Sequence, residues 1–399
     1  MTELWTRPPG QIPALDALRA TAVLLVVCSH YVEGIGTRVI PVVSQSRFHS
    51  LPFFHFGWSG VDLFFILSGL LIGRQLWKER LTTGTVRFRN FFLRRGFRIW
   101  PLYYVTLAFY KLFGILHPRW SDVAFVSNYF PSGFDRGWSL STEEQFYILV
   151  PLLLLATRAV KRPSRYAWGL GGALLLVLSF RWMTLVSLTA RGVTGHELAD
   201  AMYFAFHLHC ESLIAGLAIA YASVVRPQWF SAEGSPRRNR ILFGLFVGAS
   251  ALGLALRTFN NRLFGFTALA LIFGSLTVWL MLDRGIANRI ASARIFYPIS
   301  RLSYGMYLNH FFVLPSVTVW VVTTLRDGGA SEPVWFFTGL LAGTLTSMVV
   351  AAVTFYAVEL PFLRIRDRVL APHGHAHAPV SHGTSAAAGA AALAGTDVH

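Results

Sequence analysis

Two cysteines, Cys28 and Cys210, are all that 399 residues contain, and both fall within apolar stretches. No disulfide framework and no cysteine-built metal cluster follows from them. Charge is scarce as well: Asp, Glu, Lys and Arg make up 14% of the chain, against 54% hydrophobic residues. The acids are the scarcer sign, 19 against 35 Lys and Arg. Long polar stretches that could build a soluble domain are missing. Uncharged apolar runs recur from Leu15 onwards, and mean hydropathy is positive. A soluble chain could bury a large core, but not runs of that length throughout, so composition predicts a polytopic, all-α membrane protein. No cleavable leader is expected, because residues 1–11 hold two prolines and no small-residue cleavage site follows the first apolar run. No internal repeat is evident, and no soluble domain is expected after the last span.

The hydropathy pattern predicts a helical bundle of about ten spans, at 15–33, 58–76, 97–116, 145–160, 168–190, 203–225, 241–257, 263–283, 299–324 and 334–358. A formal charge of +16 invites a nucleic-acid reading. The arginines, however, cluster between spans and not on one soluble face. Alternate loops carry Arg74, Lys78, Arg80, Arg87, Arg89, Arg94, Arg95 and Arg98; Arg158, Lys161, Arg162 and Arg165; Arg226, Arg237, Arg238 and Arg240; and Arg284, Arg289, Arg294 and Arg301. The intervening loops hold only Arg38 and Arg47; Arg119 and Arg136; Arg191; Arg257 and Arg262; and Arg326. Positive-inside topology explains that alternation, with both termini inside a plasma (bacterial inner) membrane and membrane lipid, not nucleic acid, as the surrounding partner. The membrane domain is expected over 1–370. The Ala-, Gly- and His-rich segment 371–399 reads as a disordered tail, since the spacing of His373, His375, His377 and His382 names no metal geometry.

Ionisable side chains inside a span are costly and mark function by default. Arg19 and His30 sit in the first span, LDALRATAVLLVVCSHY. Eleven residues at about 100° each return them to nearly one helix face, about 16 Å apart. The alternative is a snorkelling Arg19 with a hydrogen-bonded core His30. Arg95 and Arg98, three apart at the start of the third span, suit phosphate recognition or ordinary inner anchoring, and Arg94 fits the anchor. In the second span, Asp62 lies near the outer end, while Ser68, Gly69 and Gly73 allow close helix packing or approach of a slender ligand. Ser141 and Glu144 read as a capping box opening the fourth span. Glu143 has no such task and lies at the expected depth of His30, where a carboxylate could orient an imidazole acting as general base. His207, His209 and Glu211 in the sixth span imply an internal polar cavity or mutual pairing; a metal site is not expected, since no other span supplies a clear further ligand. Tyr304, Tyr307, Asn309 and His310 in the ninth span suit a ligand-lining face or interhelical hydrogen bonds.

Taken together, LDALRATAVLLVVCSHY, GVDLFFILSGLLI, RRGFRIWPLYY, WSLSTEEQFY, SYGMYLNH and VELP resemble, in order and across about residues 12–363, the acyltransferase family 3 of integral membrane proteins. That family acylates bacterial polysaccharides, lipochitooligosaccharides and macrolides. The resemblance implies that Arg19 and His30 are an essential pair and that Arg95 and Arg98 are the R-x-x-R motif meeting an acyl-CoA donor. It implies equally that Ser68 to Leu71 are the SGxL motif and that Glu143 is the acid of WSLxxE. Where some relatives carry Arg and Asp in the sixth span, this chain has His209 and Glu211. The implied activity is a membrane O-acyltransferase using acyl-CoA, acetyl-CoA by default, as co-substrate, without a tightly bound cofactor or metal. His30 would be the base, oriented by Glu143, and Asp62, His209, Glu211, Tyr307 and His310 would line the substrate site. The acceptor would be a carbohydrate, glycolipid or glycosylated metabolite, and the absence of an esterase-like domain after the last span favours a stand-alone enzyme. The competing expectation is a proton-coupled transporter or flippase; against it, the two halves show no inverted-repeat symmetry.

Overall fold

The computed structural model describes residues 4–8, 10–35, 39–134, 137–157, 163–230, 236–255, 262–283 and 285–370. The segment 371–399, the tail of the sequence reading, lies outside them, as do Arg38, Arg136, Arg158, Lys161, Arg162, Arg257 and Arg284. Among the described residues the regular structure is helical, with no β-strand. The long helices are α1 (Pro13–Ser29), α2 (Gly60–Thr83), α3 (Phe88–Leu112), α4 (Trp138–Ala156), α5 (Ser164–Ala190), α6 (Glu211–Val225), α7 (Pro236–Ala255), α8 (Gly265–Leu282), α9 (Phe296–Asp327) and α10 (Glu332–Thr354). Each expected span overlaps one of them. Six helical segments are long and apolar enough to cross a membrane: Pro13–Gly34, Gly57–Thr83, Ser164–Ala190, Gly265–Leu282, Phe296–Asp327 and Glu332–Val369. The chain is therefore a multi-pass membrane protein. Helices α3, α4 and α7 fall short of that criterion because Arg94, Arg95 and Arg98, Glu143 and Glu144, and Arg237, Arg238 and Arg240 dilute their hydropathy; α6 has only 15 residues.

Apart from Asp16 and Arg19, helix α1 is apolar on all sides, the pattern of a helix buried all round. Leu15, Leu18, Ala22 and Val26 enter one hydrophobic cluster, with α2, α3, α4 and α6. Val23, Val27, Cys28 and Tyr31 enter a second, with α9 and α10. Proline at its start costs no hydrogen bond, since the first-turn N–H would be unpaired anyway. Its end is not a cap: His30–Ile35 continues as a π-turn, a rare wide turn frequently found at functional sites. Tyr31 Oη donates to the Phe336 carbonyl (2.7 Å), tying that turn to α10.

With no water to expel between spans, helix pairing depends on close contact and polar links. Gly69 of α2 meets α6 so closely that a Cβ there would lie 2.2 Å from the Leu213 carbonyl oxygen; a Cβ at Gly216 would lie 2.2 Å from that of Ile66. Gly69, expected beside a ligand, is instead buried in this helix pair, because successive residues of a helix point in different directions. Helix α9 works by polar links. Its SYGMYLNH stretch sends Tyr304 Oη to the Ile99 carbonyl of α3 (2.7 Å), while Tyr307 Oη pairs with Ser139 Oγ of α4. Tyr110 Oη of α3 donates to Asn309 Oδ1 (3.0 Å), and His310 pairs with His30 (2.8 Å).

Two helix starts differ from the reading. Helix α4 begins at Trp138, seven residues before the expected span, because Trp138 is buried against Tyr203 and His209 and draws the first turn into the core. The capping box is thereby overturned. Ser141 Oγ bonds Ser127 Oγ (2.8 Å), and Glu144 Oε2 accepts from Trp100 Nε1 (3.1 Å). Helix α6 begins at Glu211 and not at 203; the residues before it form only a 3-10 turn, Phe206–Leu208. Side chains take up the backbone carbonyls so released: Arg181 donates to Leu208 O, and His209 Nδ1 lies 2.8 Å from Tyr203 O. Irregular backbone at this depth requires such partners.

Candidate active site

A cavity of about 430 Å³ opens between α1, α2, α3, α4 and α9. Its walls carry Arg19, Ser68, Arg95, Arg98, Glu143 and Tyr147 at one level, and Phe64, Ser139 and Tyr307 at another. The helix spacings explain the convergence. Arg95 and Arg98 share a face of α3, and Glu143 and Tyr147 sit one turn apart on α4. Among the described residues, none of the three guanidinium groups has a hydrogen bond or ion pair, although Arg95 lies over the Tyr147 ring at 5.6 Å. The nearby Asp16 is within electrostatic reach of Arg19 but forms no hydrogen bond with it. Its carboxylate is held by Arg7 Nε (2.8 Å), Gln11 Nε2 (2.8 Å) and Ser300 Oγ (3.2 Å). Two smaller recesses share these arginines: one bounded by Gln75, Arg94, Arg95, Arg98 and Arg366, the other by Thr6, Arg19, Arg98, Tyr297 and Arg301. Arg94, read as an anchor, is exposed at the rim.

Glu143 belongs to this basic end. Its Oε1 accepts from Ser68 Oγ and its Oε2 from Tyr147 Oη, both at 2.7 Å, and it lies within electrostatic reach of Arg19 and Arg95. It forms no hydrogen bond with His30, the partner expected for it. The early start of α4 is the reason: Glu143 stands more than a turn inside the helix instead of at its tip. His30, half-buried, has its Nδ1 2.8 Å from His310 Nε2, the ring centres 4.9 Å apart and their planes inclined by 30°. His310, expected to line the substrate site, is wholly buried behind His30, and its Nδ1 faces the Met306 and Tyr307 carbonyls at 3.0 and 2.9 Å. Neither His30 nor His310 is among the residues lining the cavity; Tyr307, whose ring lies 6.0 Å from that of His310, is.

Asp62, His209 and Glu211 were also expected to line the site, and the structure corrects that. All three are buried and stand outside the cavity wall. Asp62 accepts from Ser212 Oγ (2.7 Å) and faces His209 Nε2 (3.2 Å), whose ring is sandwiched between Phe266 and Trp138. Glu211 pairs with Arg181 of α5, a fully buried arginine that also donates to the Leu208 and Leu263 carbonyls. Buried ions persist only when paired in this way. His207 turns to Tyr129 Oη (2.9 Å), so the three sixth-span residues go to three separate partners.

Sequence reasoning missed Arg181, Tyr147, Ser139 and the π-turn. A lone arginine in the apolar run LLLVLSFRWM was a usable signal, and so was Tyr147 four residues beyond Glu143. The turn left no signal in the residues.

Comparison with known proteins bears on this geometry. A family model described as "Acyltransferase domain" matches residues 12–353. The chain is 25% identical over 385 residues to "Peptidoglycan O-acetyltransferase OatA" of Listeria monocytogenes, an alignment covering 88% of this chain and 55% of that protein. It is 24% identical over 381 residues to the Staphylococcus aureus protein named "Putative O-acetyltransferase SACOL0978", covering 88% of this chain and 57% of that one. The chain thus spans about half the length of the curated relatives it matches. No solved structure gives a significant match.

Proposed function

The chain belongs to the acyltransferase domain family, and from that premise we propose that it moves an acyl group, acetyl by default, from acyl-CoA to a hydroxyl of a carbohydrate acceptor. The observation that carries this reading is the set of three arginines, Arg19, Arg95 and Arg98, facing one cavity, with no anion among the described residues bonded to any of them. Guanidinium groups are suited to bidentate binding of phosphate, and CoA supplies a diphosphate and a 3′-phosphate. From there the cavity offers apolar walls at Phe64, Phe65, Leu71 and Ile72 and hydroxyls at Ser139, Ser303, Tyr304 and Tyr307. That mixture fits a pantetheine arm, whose methylenes alternate with two amides. Glu143 serves the arm rather than His30: each oxygen accepts one hydroxyl and keeps a lone pair for an amide N–H.

The separation along α1, about 16 Å from Arg19 to His30, sets the thioester near the imidazole when the phosphates bind the arginines. An acceptor hydroxyl then attacks the thioester carbonyl. The new C–O bond forms, the C–S bond breaks, and the hydroxyl proton passes to His30 and on to the departing thiolate, giving CoA-SH. In this reading the chain crosses the plasma membrane about ten times with both termini inside. The donor enters from the cytoplasm and the acceptor from the other face. The names of the relatives favour a cell-wall glycan over a small metabolite as acceptor.

The test is label transfer. Purified protein in nanodiscs is incubated with labelled acetyl-CoA and a panel of peptidoglycan fragments and other glycans, beside His30→Ala. Transfer by the wild type and its loss in the variant, with CoA binding retained, is the expected result. Turnover surviving in the variant removes His30 from the reaction. A wild type that neither binds CoA nor transfers label overturns the reading.

A further inference from the structure

We propose that His310 is a positioning residue: it fixes the tautomer of His30 so that Nε2 is the basic nitrogen, and that is the nitrogen offered to the acceptor hydroxyl. The inference rests on the O-acyltransferase reading for its chemistry, but the tautomer itself follows from the contacts alone.

His310 Nδ1 faces two carbonyl oxygens, those of Met306 and Tyr307, at 3.0 and 2.9 Å. A carbonyl accepts and never donates, so that nitrogen must carry the proton. Both carbonyls lie within the turn preceding His310 on α9, so the contact is set by the helix itself and by a side chain with no accessible surface. Neutral His310 then presents Nε2 as a lone pair. That lone pair lies 2.8 Å from His30 Nδ1, which must supply the proton between them. A neutral His30 has only one ring proton, and Nδ1 holds it. Nε2 is left unprotonated, on the side of the ring away from His310.

The same arrangement supports the ring after it has taken the acceptor's proton. His30 as imidazolium still donates Nδ1–H to His310, so accepting the proton at Nε2 requires no rearrangement of the pair. A neutral imidazole here does what a carboxylate does beside other general bases, without adding a second charge to an apolar site. The π-turn at His30–Ile35 contributes by setting where the ring leaves α1. Tyr31, the next residue, is held by the Phe336 carbonyl and limits the turn's freedom.

Two variants separate this role from simple packing. Gln at position 310 can offer its side-chain oxygen near the place of the imidazole Nε2. Asn is too short to reach His30. Expected for His310→Asn is a fall in kcat on the order of 100-fold with KM for acetyl-CoA little changed, and for His310→Gln a recovery of most of that loss. Equal losses in the two variants, or a loss expressed in KM, would mean that His310 only fills space and would overturn the proposal. The second measurement needs no turnover. Histidine-selective 15N spectra of the wild type in micelles, with His30 assigned from the His30→Asn difference, should show a protonated Nδ1 and a bare Nε2. His310→Asn should relax that preference. A wild-type His30 protonated at Nε2 would overturn the proposal whatever the enzyme's activity. The expected spectrum from a protein that transfers no label would uphold the tautomer and count against the O-acyltransferase reading instead.

Discussion

A guanidinium group carries five N–H donors and does not shed its charge, so three of them around one cavity restrict what else can enter it. Arg19 comes from α1, and Arg95 and Arg98 from α3. Each is within electrostatic reach of another, and their mutual repulsion is only partly offset by Asp16 and Glu143 near Arg19 and by Glu359 near Arg98. A charge-assisted hydrogen bond contributes about 1.5–3 kcal/mol, so removal of either Arg95 or Arg98 should weaken CoA binding about 10- to 100-fold. Isothermal titration of the Ala variants with CoA and with dephospho-CoA checks this. A variant that loses its preference between the two ligands identifies the arginine that meets the 3′-phosphate. These arginines were legible in the sequence because a charge beside or inside an apolar run stands out. The partner of His30 was not. Glu143 was the expected partner and His310 was read only as ligand-lining or interhelical, and the difference depended on a helix start set by the burial of Trp138.

At the scale of the helix, adjacent residues can have unrelated tasks. Ser68 faces the cavity and donates to Glu143, while Gly69 faces α6 with no room for a methyl group. Ser68→Ala should therefore leave the thermal midpoint almost unchanged and lower transfer. Gly69→Ala should cost about 1–3 kcal/mol through overpacking and lower the midpoint measured by intrinsic fluorescence in detergent. The reverse pattern would mean that the face assignment of α2 is wrong. Helix positions were readable throughout from apolar runs, since each expected span overlaps a long helix. Their ends were less so. Apart from His207 and His209, the residues before Glu211 look as apolar as those after it, and what interrupts the helix there is Arg181, reaching over from α5 to hold the Leu208 carbonyl. A contact made across 27 residues leaves no periodicity to read.

For the whole molecule, orientation is the property the arginine pattern argues most directly. Cys28 and Cys210 are both buried, so the native chain has little thiol background. Single cysteines at the exposed Thr85, after α2, and Asp327, at the end of α9, should consequently react on opposite sides of sealed vesicles, Thr85→Cys from the cytoplasmic side and Asp327→Cys from outside. Labelling of both from one side would break the ten-crossing count between them.

The pairing of Arg181 with Glu211 has a consequence for how the chain is made. Helix α5 is the least buried of the six candidate crossings, yet it carries a guanidinium group in its second half. Presented alone to the insertion machinery, that group opposes partition by about 2.5–3.5 kcal/mol. Its counter-charge emerges from the ribosome only 30 residues later, at the first turn of α6. The two helices are thus best released into the bilayer as a hairpin, with α5 waiting beside the channel until Glu211 arrives.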